Sequence, residues 1–144
     1  MLSKYFALSE LTVSETAARR GLKNTPFGKQ LENLKQTAQR MDVIREGLGK
    51  PVIVTSGYRS PEVNAAVGGS RTSAHCHGLA VDFTCPGYGS PLAVAKAILA
   101  SGIEFDQLIH EFGAWVHISF AEPGKPSRKQ TLTINKRGTL AGLQ

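Results

Sequence analysis

Asp106-Gln107-Leu108-Ile109-His110-Glu111-Phe112-Gly113-Ala114-Trp115-Val116-His117-Ile118-Ser119-Phe120 reads as two short apolar strands and the turn between them. Phe112-Gly113-Ala114 suits a hairpin loop, because glycine reaches turn conformations that other residues resist, so the flanking strands pair antiparallel. Upstream of the hairpin, Ser90-Pro91 is a cap followed by a first-turn proline, and it opens a helix through Leu99 that Gly102 closes. Leu79-Ala80-Val81-Asp82-Phe83 is a strand ending near the turn-rich Pro86-Gly87-Tyr88-Gly89. Ser60-Pro61 repeats the cap signal for a short helix to Val67, stopped by Gly68-Gly69, and Pro51 to Ser56 is a β-branched strand stopped by Gly57. Asn24-Thr25-Pro26 predicts the start of a helix over about 26–48, with Leu31, Leu34, Ala38, Met41 and Leu48 at helical spacing.

Helices leading into an antiparallel hairpin predict an α+β fold, not a doubly wound parallel sheet. One domain spans 1–144, with a small antiparallel sheet, helices packed on one side and a core over about 26–120. Residues 122–144 carry Lys125, Arg128, Lys129, Lys136 and Arg137, and only Thr131 to Ile134 resembles a strand. A basic surface tail with one edge strand is expected there.

The 144 residues suit one compact core, and 41% hydrophobic with 19% charged residues exclude a largely disordered chain. The longest apolar stretch, Leu92 to Leu99, is interrupted by Lys96 and is too short to span a membrane. Ser9 and Glu10 break the N-terminal apolar run before a secretory core forms, so the expectation is synthesis in the cytoplasm without an export signal. Cys76 and Cys85 do not make a disulfide framework. A net charge of +6 admits nucleic acid, anionic lipid or anionic cell-wall polymer as partner. Aromatic-basic interleaving is missing, so no specific nucleic-acid partner is expected.

Ser73-Ala74-His75-Cys76-His77-Gly78-Leu79-Ala80-Val81-Asp82 gathers two imidazoles and a carboxylate in a loop that runs into a strand. That density points to a metal, since catalytic zinc takes three nitrogen, sulfur or oxygen ligands and keeps a fourth position for water. The third ligand must come from elsewhere. His117 is the strongest candidate, because strand alternation turns it to the face opposite Val116 and Ile118.

Ser73-x-His75-x-x-Gly78-x-Ala80-x-Asp82, followed by Trp115-Val116-His117-Ile118-Ser119-Phe120 and preceded by Thr55-Ser56-Gly57-Tyr58-Arg59-Ser60-Pro61, resembles the zinc D-alanyl-D-alanine carboxypeptidase family. That family includes phage endolysins and shares its fold with the hedgehog signalling domain. The resemblance runs from about Pro51 to Phe120, and residues 5–26 and the basic tail look like phage and prophage members. It implies one zinc ion on His75, Asp82 and His117, carried by a four-stranded antiparallel sheet. It also implies hydrolysis of a peptide bond in peptidoglycan, of the D-Ala-D-Ala carboxypeptidase or L-Ala-D-Glu endopeptidase type. An endolysin would reach the wall from a bacterial cytoplasm through a separate lysis pore.

Zinc lowers the pKa of bound water to about 7, and a general base must then take its proton. Many family members have Asp or Glu three positions before the last histidine, where this chain has Ala114. A three-residue loop at 112–114 sets Glu111 opposite Trp115 and Ile109 opposite His117, giving Glu111 and His117 one face. Glu111 is thus the expected base. A two-residue loop would reverse the parity and make it His110. Arg59, just beyond a strand, corresponds to an arginine that contacts substrate in the resembling family, and its planar fork suits a carboxylate or polarised carbonyl. Ser73 either helps to position substrate or caps its turn.

Three rival readings stand beside these. Cys76, His77 and Cys85 could form a structural zinc site with one further group. Tyr58 and Trp115 could line a substrate groove or simply pack. The whole domain could be a non-catalytic zinc-containing module that binds cell wall or a protein.

Overall fold

The chain between Asn24 and Gly28 does not start the long helix where its cap signal suggests. In the computed structural model, which describes residues 1–144, α3 spans Gly28–Leu48 with Phe27 at its N-cap. Asn24 has a different task. Its amide donates to the carbonyls of Thr12 and Tyr58 at 2.9 Å each, and its oxygen accepts from the Ser60 amide at 2.7 Å. Backbone groups far away in sequence have claimed the side chain that a local reading gives to the helix.

Two short helices, α1 at Leu8–Leu11 and α2 at Glu15–Arg20, precede α3. After it come β1 at Ile53–Ser56, α4 at Pro61–Ala66, a 3-10 turn at Ala74–His77, β2 at Ala80–Thr84 and α5 at Pro91–Ser101. β3 at Gln107–Glu111, β4 at Trp115–Ser119, β5 at Gln130–Asn135 and β6 at Gly138–Ala141 complete the chain. Ser60 and Ser90 cap α4 and α5 as expected, each accepting from the amide three residues on, with proline in the first turn.

The strands form one sheet in the order β1-β2-β4-β3-β5-β6, antiparallel except for the parallel β3–β5 pair. The sheet thus has six strands where the resemblance implies four. The stretch read as a surface tail supplies the other two, and β5 is an interior strand while β6 takes the edge. At the other end, Phe6 and Leu11 are buried in the main core, which therefore begins well before residue 26.

Alternation sorts the sheet into two faces. Val81, Phe83, Leu108, Val116 and Ile118 join Val94, Ala95 and Ile98 of α5 and Leu34, Ala38, Met41 and Ile44 of α3 in one apolar cluster. Burying each large side chain contributes roughly 1.5–3 kcal/mol, so this face fixes the register of the whole sheet. Asp82, His117 and Glu111 lie on the other face.

Candidate active site

Asp82 and His117 are direct cross-strand partners in the antiparallel β2–β4 ladder, so the register that buries Val81 and Val116 also brings these two side chains together. His75 arrives from the 3-10 turn. Ser73 caps that turn by accepting from the His75 amide at 3.2 Å, and Gly78 closes it with a left-handed φ of 73°. α3 anchors the same turn from behind. Thr37 Oγ1 donates to the Gly78 carbonyl at 2.7 Å, and the Asn33 amide donates to the His77 carbonyl at 3.0 Å. A Cβ on Gly78 would lie 2.5 Å from the Gln30 carbonyl oxygen, so glycine is needed for close approach as well as for φ.

His75 Nδ1 lies 2.7 Å from the carbonyl oxygen of Gly57. A carbonyl only accepts, so the proton sits on Nδ1 and the Nε2 lone pair is aimed at Asp82 Oδ1, 3.2 Å away. His117 Nδ1 is 2.8 Å from the same oxygen. Burial is the main influence on His75 and pushes its pKa below the ordinary imidazole value, although Asp82 pulls the other way. Burial also acts to raise the Asp82 carboxyl, but the close approach of the His117 and His75 rings outweighs it and holds the pKa well below the carboxylate range.

A neutral imidazole whose lone pair faces an ionised carboxylate is an unfavourable contact unless a cation lies between them. The ligand atoms of His75, Asp82 and His117 all fall within 4.8 Å of one another. Two nitrogens and one oxygen in a largely buried cluster fit zinc, with one coordination position left open.

Arg59 is braced on this cluster. Its Nη2 is 3.4 Å from Asp82 Oδ2, its Nε donates to Ser56 Oγ at 3.1 Å and its Nη1 to Asn64 Oδ1 at 3.3 Å. The residue expected to meet substrate therefore also supports a member of the candidate metal cluster.

The β3–β4 turn has three residues, and Ile109 faces His117 while Glu111 faces Trp115. Glu111 is half-buried on the metal face. Burial first, then the negative charge of Asp82, raises its pKa above the ordinary carboxylate value, with His117 and Arg59 opposing. His110 has the opposite parity, and its Nδ1 lies 3.0 Å from the carbonyl of Gln144, which removes it from the site. Ala114 is exposed in the turn.

The other candidates separate cleanly. Cys85 is buried with its thiol against the Lys50 carbonyl, and His77 is exposed, so Cys76, His77 and Cys85 do not assemble. Tyr58 is buried in the core. Trp115 is half-buried beside Phe112, ring centroids 5.6 Å apart, and its indole nitrogen is buried without a partner. Sequence reasoning missed the Gly57 carbonyl, Asn64, Asn33 and Thr37. The last two carried a readable signal: they are polar residues at i, i+4 on the otherwise apolar face of Leu34, Ala38 and Met41.

Two imidazoles and a carboxylate around one point, with a second carboxylate on the same face, are the equipment of a single-metal hydrolase. The sequence profile of the Peptidase M15 family matches residues 4–119, a span that includes every residue of this site, and the chain belongs to that family. At family level it is a zinc-dependent peptidase acting on peptidoglycan-type substrates. No curated protein matches the chain.

Proposed function

We propose that this peptidase is an endolysin-like enzyme that hydrolyses a peptide bond in the stem or cross-link of bacterial peptidoglycan, with Glu111 as general base and Arg59 orienting the substrate. The observation that carries the reading is the hairpin register, which gives Glu111 and His117 one face of the sheet. When bound, zinc supplies a Lewis acid for the scissile carbonyl and an activated water.

Glu111 takes a proton onto its carboxylate and returns it to the leaving amine. Its partial burial and raised pKa suit a group that must hold the proton between the two events. Gly57, through His75 Nδ1, keeps the second ring nitrogen unprotonated and facing inward. Arg59 has five N–H bonds, of which three are engaged by Ser56, Asn64 and Asp82, leaving two for a substrate carbonyl or carboxylate. In this reading the protein is made in a bacterial cytoplasm and gains the wall through a separate lysis pore. None of its helices is long and apolar enough to cross a membrane.

The test is mass spectrometry of fragments released from purified peptidoglycan by the zinc-loaded protein, with His117→Ala alongside. Defined peptides that vanish in the variant name the bond and distinguish carboxypeptidase from endopeptidase. Retention on several wall chemotypes with no release, by a folded zinc-containing protein, would instead establish a binding module.

A further inference from the structure

Asn64 sits on α4, away from the ligand set, yet it is 4% exposed and every polar group of its side chain is engaged. Its Oδ1 accepts from Arg59 Nη1 at 3.3 Å and its Nδ2 donates to the Ser70 carbonyl at 2.8 Å. Both bonds agree on one orientation of the amide. Its backbone takes part as well, with the carbonyl accepting from the Gly69 amide at 2.9 Å.

Gly69 makes room for this arrangement. A Cβ there would lie 2.1 Å from Asn64 Oδ1, 2.8 Å from its Cγ and 3.2 Å from Arg59 Nη1. Gly69 has no positive φ. Glycine is therefore required by the space that the carboxamide and guanidinium occupy, not by the backbone.

Beyond Asn64, the guanidinium reaches Asp82 Oδ2, while Oδ1 of the same carboxylate faces His75 Nε2 and His117 Nδ1. A carboxylate can rotate about its last bond. Holding one oxygen from outside fixes the plane of the carboxylate and keeps the other oxygen turned toward the imidazoles. Arg59 can do this only while its own long side chain is held, and Asn64 and Ser56 are the groups that hold it.

We propose that Asn64 is a positioning residue for the metal centre, acting through Arg59 on the orientation of Asp82, with Gly69 as its cradle. The inference rests on the reading of His75, Asp82 and His117 as metal ligands. It assigns to the segment Asn64 to Ser70 a role that its distance from the ligands conceals. Outer partners of this kind change metal affinity by about 10- to 100-fold when removed.

The measurement is zinc affinity by competition with a chromophoric chelator, with near-UV circular dichroism and thermal unfolding to establish that each variant is folded. Asn64→Leu keeps the volume and removes the acceptor, and it lowers affinity about 10-fold or more. Asn64→Asp restores an acceptor oxygen for Arg59 and recovers most of that loss. In an Arg59→Ala background, Asn64→Leu has little further effect, because the relay is already cut. If Asn64→Leu does not fold, Gly69→Ala displaces the carboxamide instead and gives the same pattern. An unchanged affinity, or an equal loss with and without Arg59, overturns the relay. A folded wild-type protein that takes no zinc refutes the metal-site reading itself, so the two failures are distinct.

Discussion

Replacing Gly57 by alanine is a severe test of how the first histidine is held. A Cβ at this position would lie 2.3 Å from the Leu11 carbonyl oxygen, 2.9 Å from its carbon and 3.0 Å from its Cα, all backbone atoms of the N-terminal segment. Relief to the 3.4 Å of ordinary contact requires a movement of about 1 Å. Leu11 is fully buried, and its carbonyl accepts from the Tyr58 amide at 2.8 Å, so the segment cannot move without breaking that bond or unpacking the side chain. Overpacking of this kind costs about 1–3 kcal/mol and a lost buried hydrogen bond about 1 kcal/mol, giving about 2–4 kcal/mol in total. For a domain of this size that lowers Tm by roughly 6–15 °C. The Gly57 carbonyl also accepts from His75, so zinc affinity falls together with stability, by about 10-fold. Thermal unfolding of the metal-free protein and chelator competition measure the two effects separately. A Tm change under about 2 °C with unchanged zinc affinity would refute the reasoning, because it would show that the N-terminal segment yields freely.

Two further outcomes follow from the geometry. Glu111→Gln retains zinc and lowers kcat on peptidoglycan peptides by about 10²-fold or more, whereas near-full turnover would remove Glu111 as the base. Asp106 accepts from Arg128 Nε and Nη2 at 2.9 and 2.8 Å, and those bonds, against a smaller effect of burial, hold its pKa below the carboxylate range. Its stabilisation is therefore complete above the unfolded carboxylate pKa and is lost as pH falls through the lowered folded value. Arg128 is largely exposed and Asp106 partly so, and Asp106→Asn therefore costs about 1 kcal/mol or less near neutral pH, a cost that fades as pH falls through the lowered folded value. A cost that does not change across that range would show that the ion pair is not its source.

The candidate ligands were legible because each is marked locally. His75 and Asp82 share one short stretch, and His117 interrupts an apolar strand whose alternation gives its face. Which of Glu111 and His110 shares a face with His117 needed only the length of the turn, and Phe112-Gly113-Ala114 supplied it. What escaped depends on distant partners. Asn24 looks like a cap, but its amide is taken by Tyr58 and Ser60, over thirty positions away. Gly57 looks like a strand stop and is a contact surface for Leu11. Thr131 to Ile134 was legible as a strand, but its interior place in the sheet and the whole of β6 were hidden by Lys129, Lys136 and Arg137, which give the segment the charge of a tail. A hairpin signal was present: Thr131-Leu132-Thr133-Ile134 alternates, and Asn135 and Gly138 flank a two-residue turn in which Asn135 accepts from the Arg137 amide at 2.8 Å. The parallel pairing with β3 had no local mark, since it depends on where the crossing segment 120–129 comes to rest.

The ladder between β2 and β4 has a kinetic consequence. β4 meets β3 through a three-residue turn, a local event of the kind that takes microseconds. Asp82 and His117 are 35 positions apart, with α5 and β3 between them, so their meeting awaits closure of a long loop. A collapsed chain with its hairpin formed still has no complete candidate ligand set. On the metal-site reading, capture of the ion during refolding dates the docking of the hairpin against β2, a later event than compaction or the appearance of secondary structure.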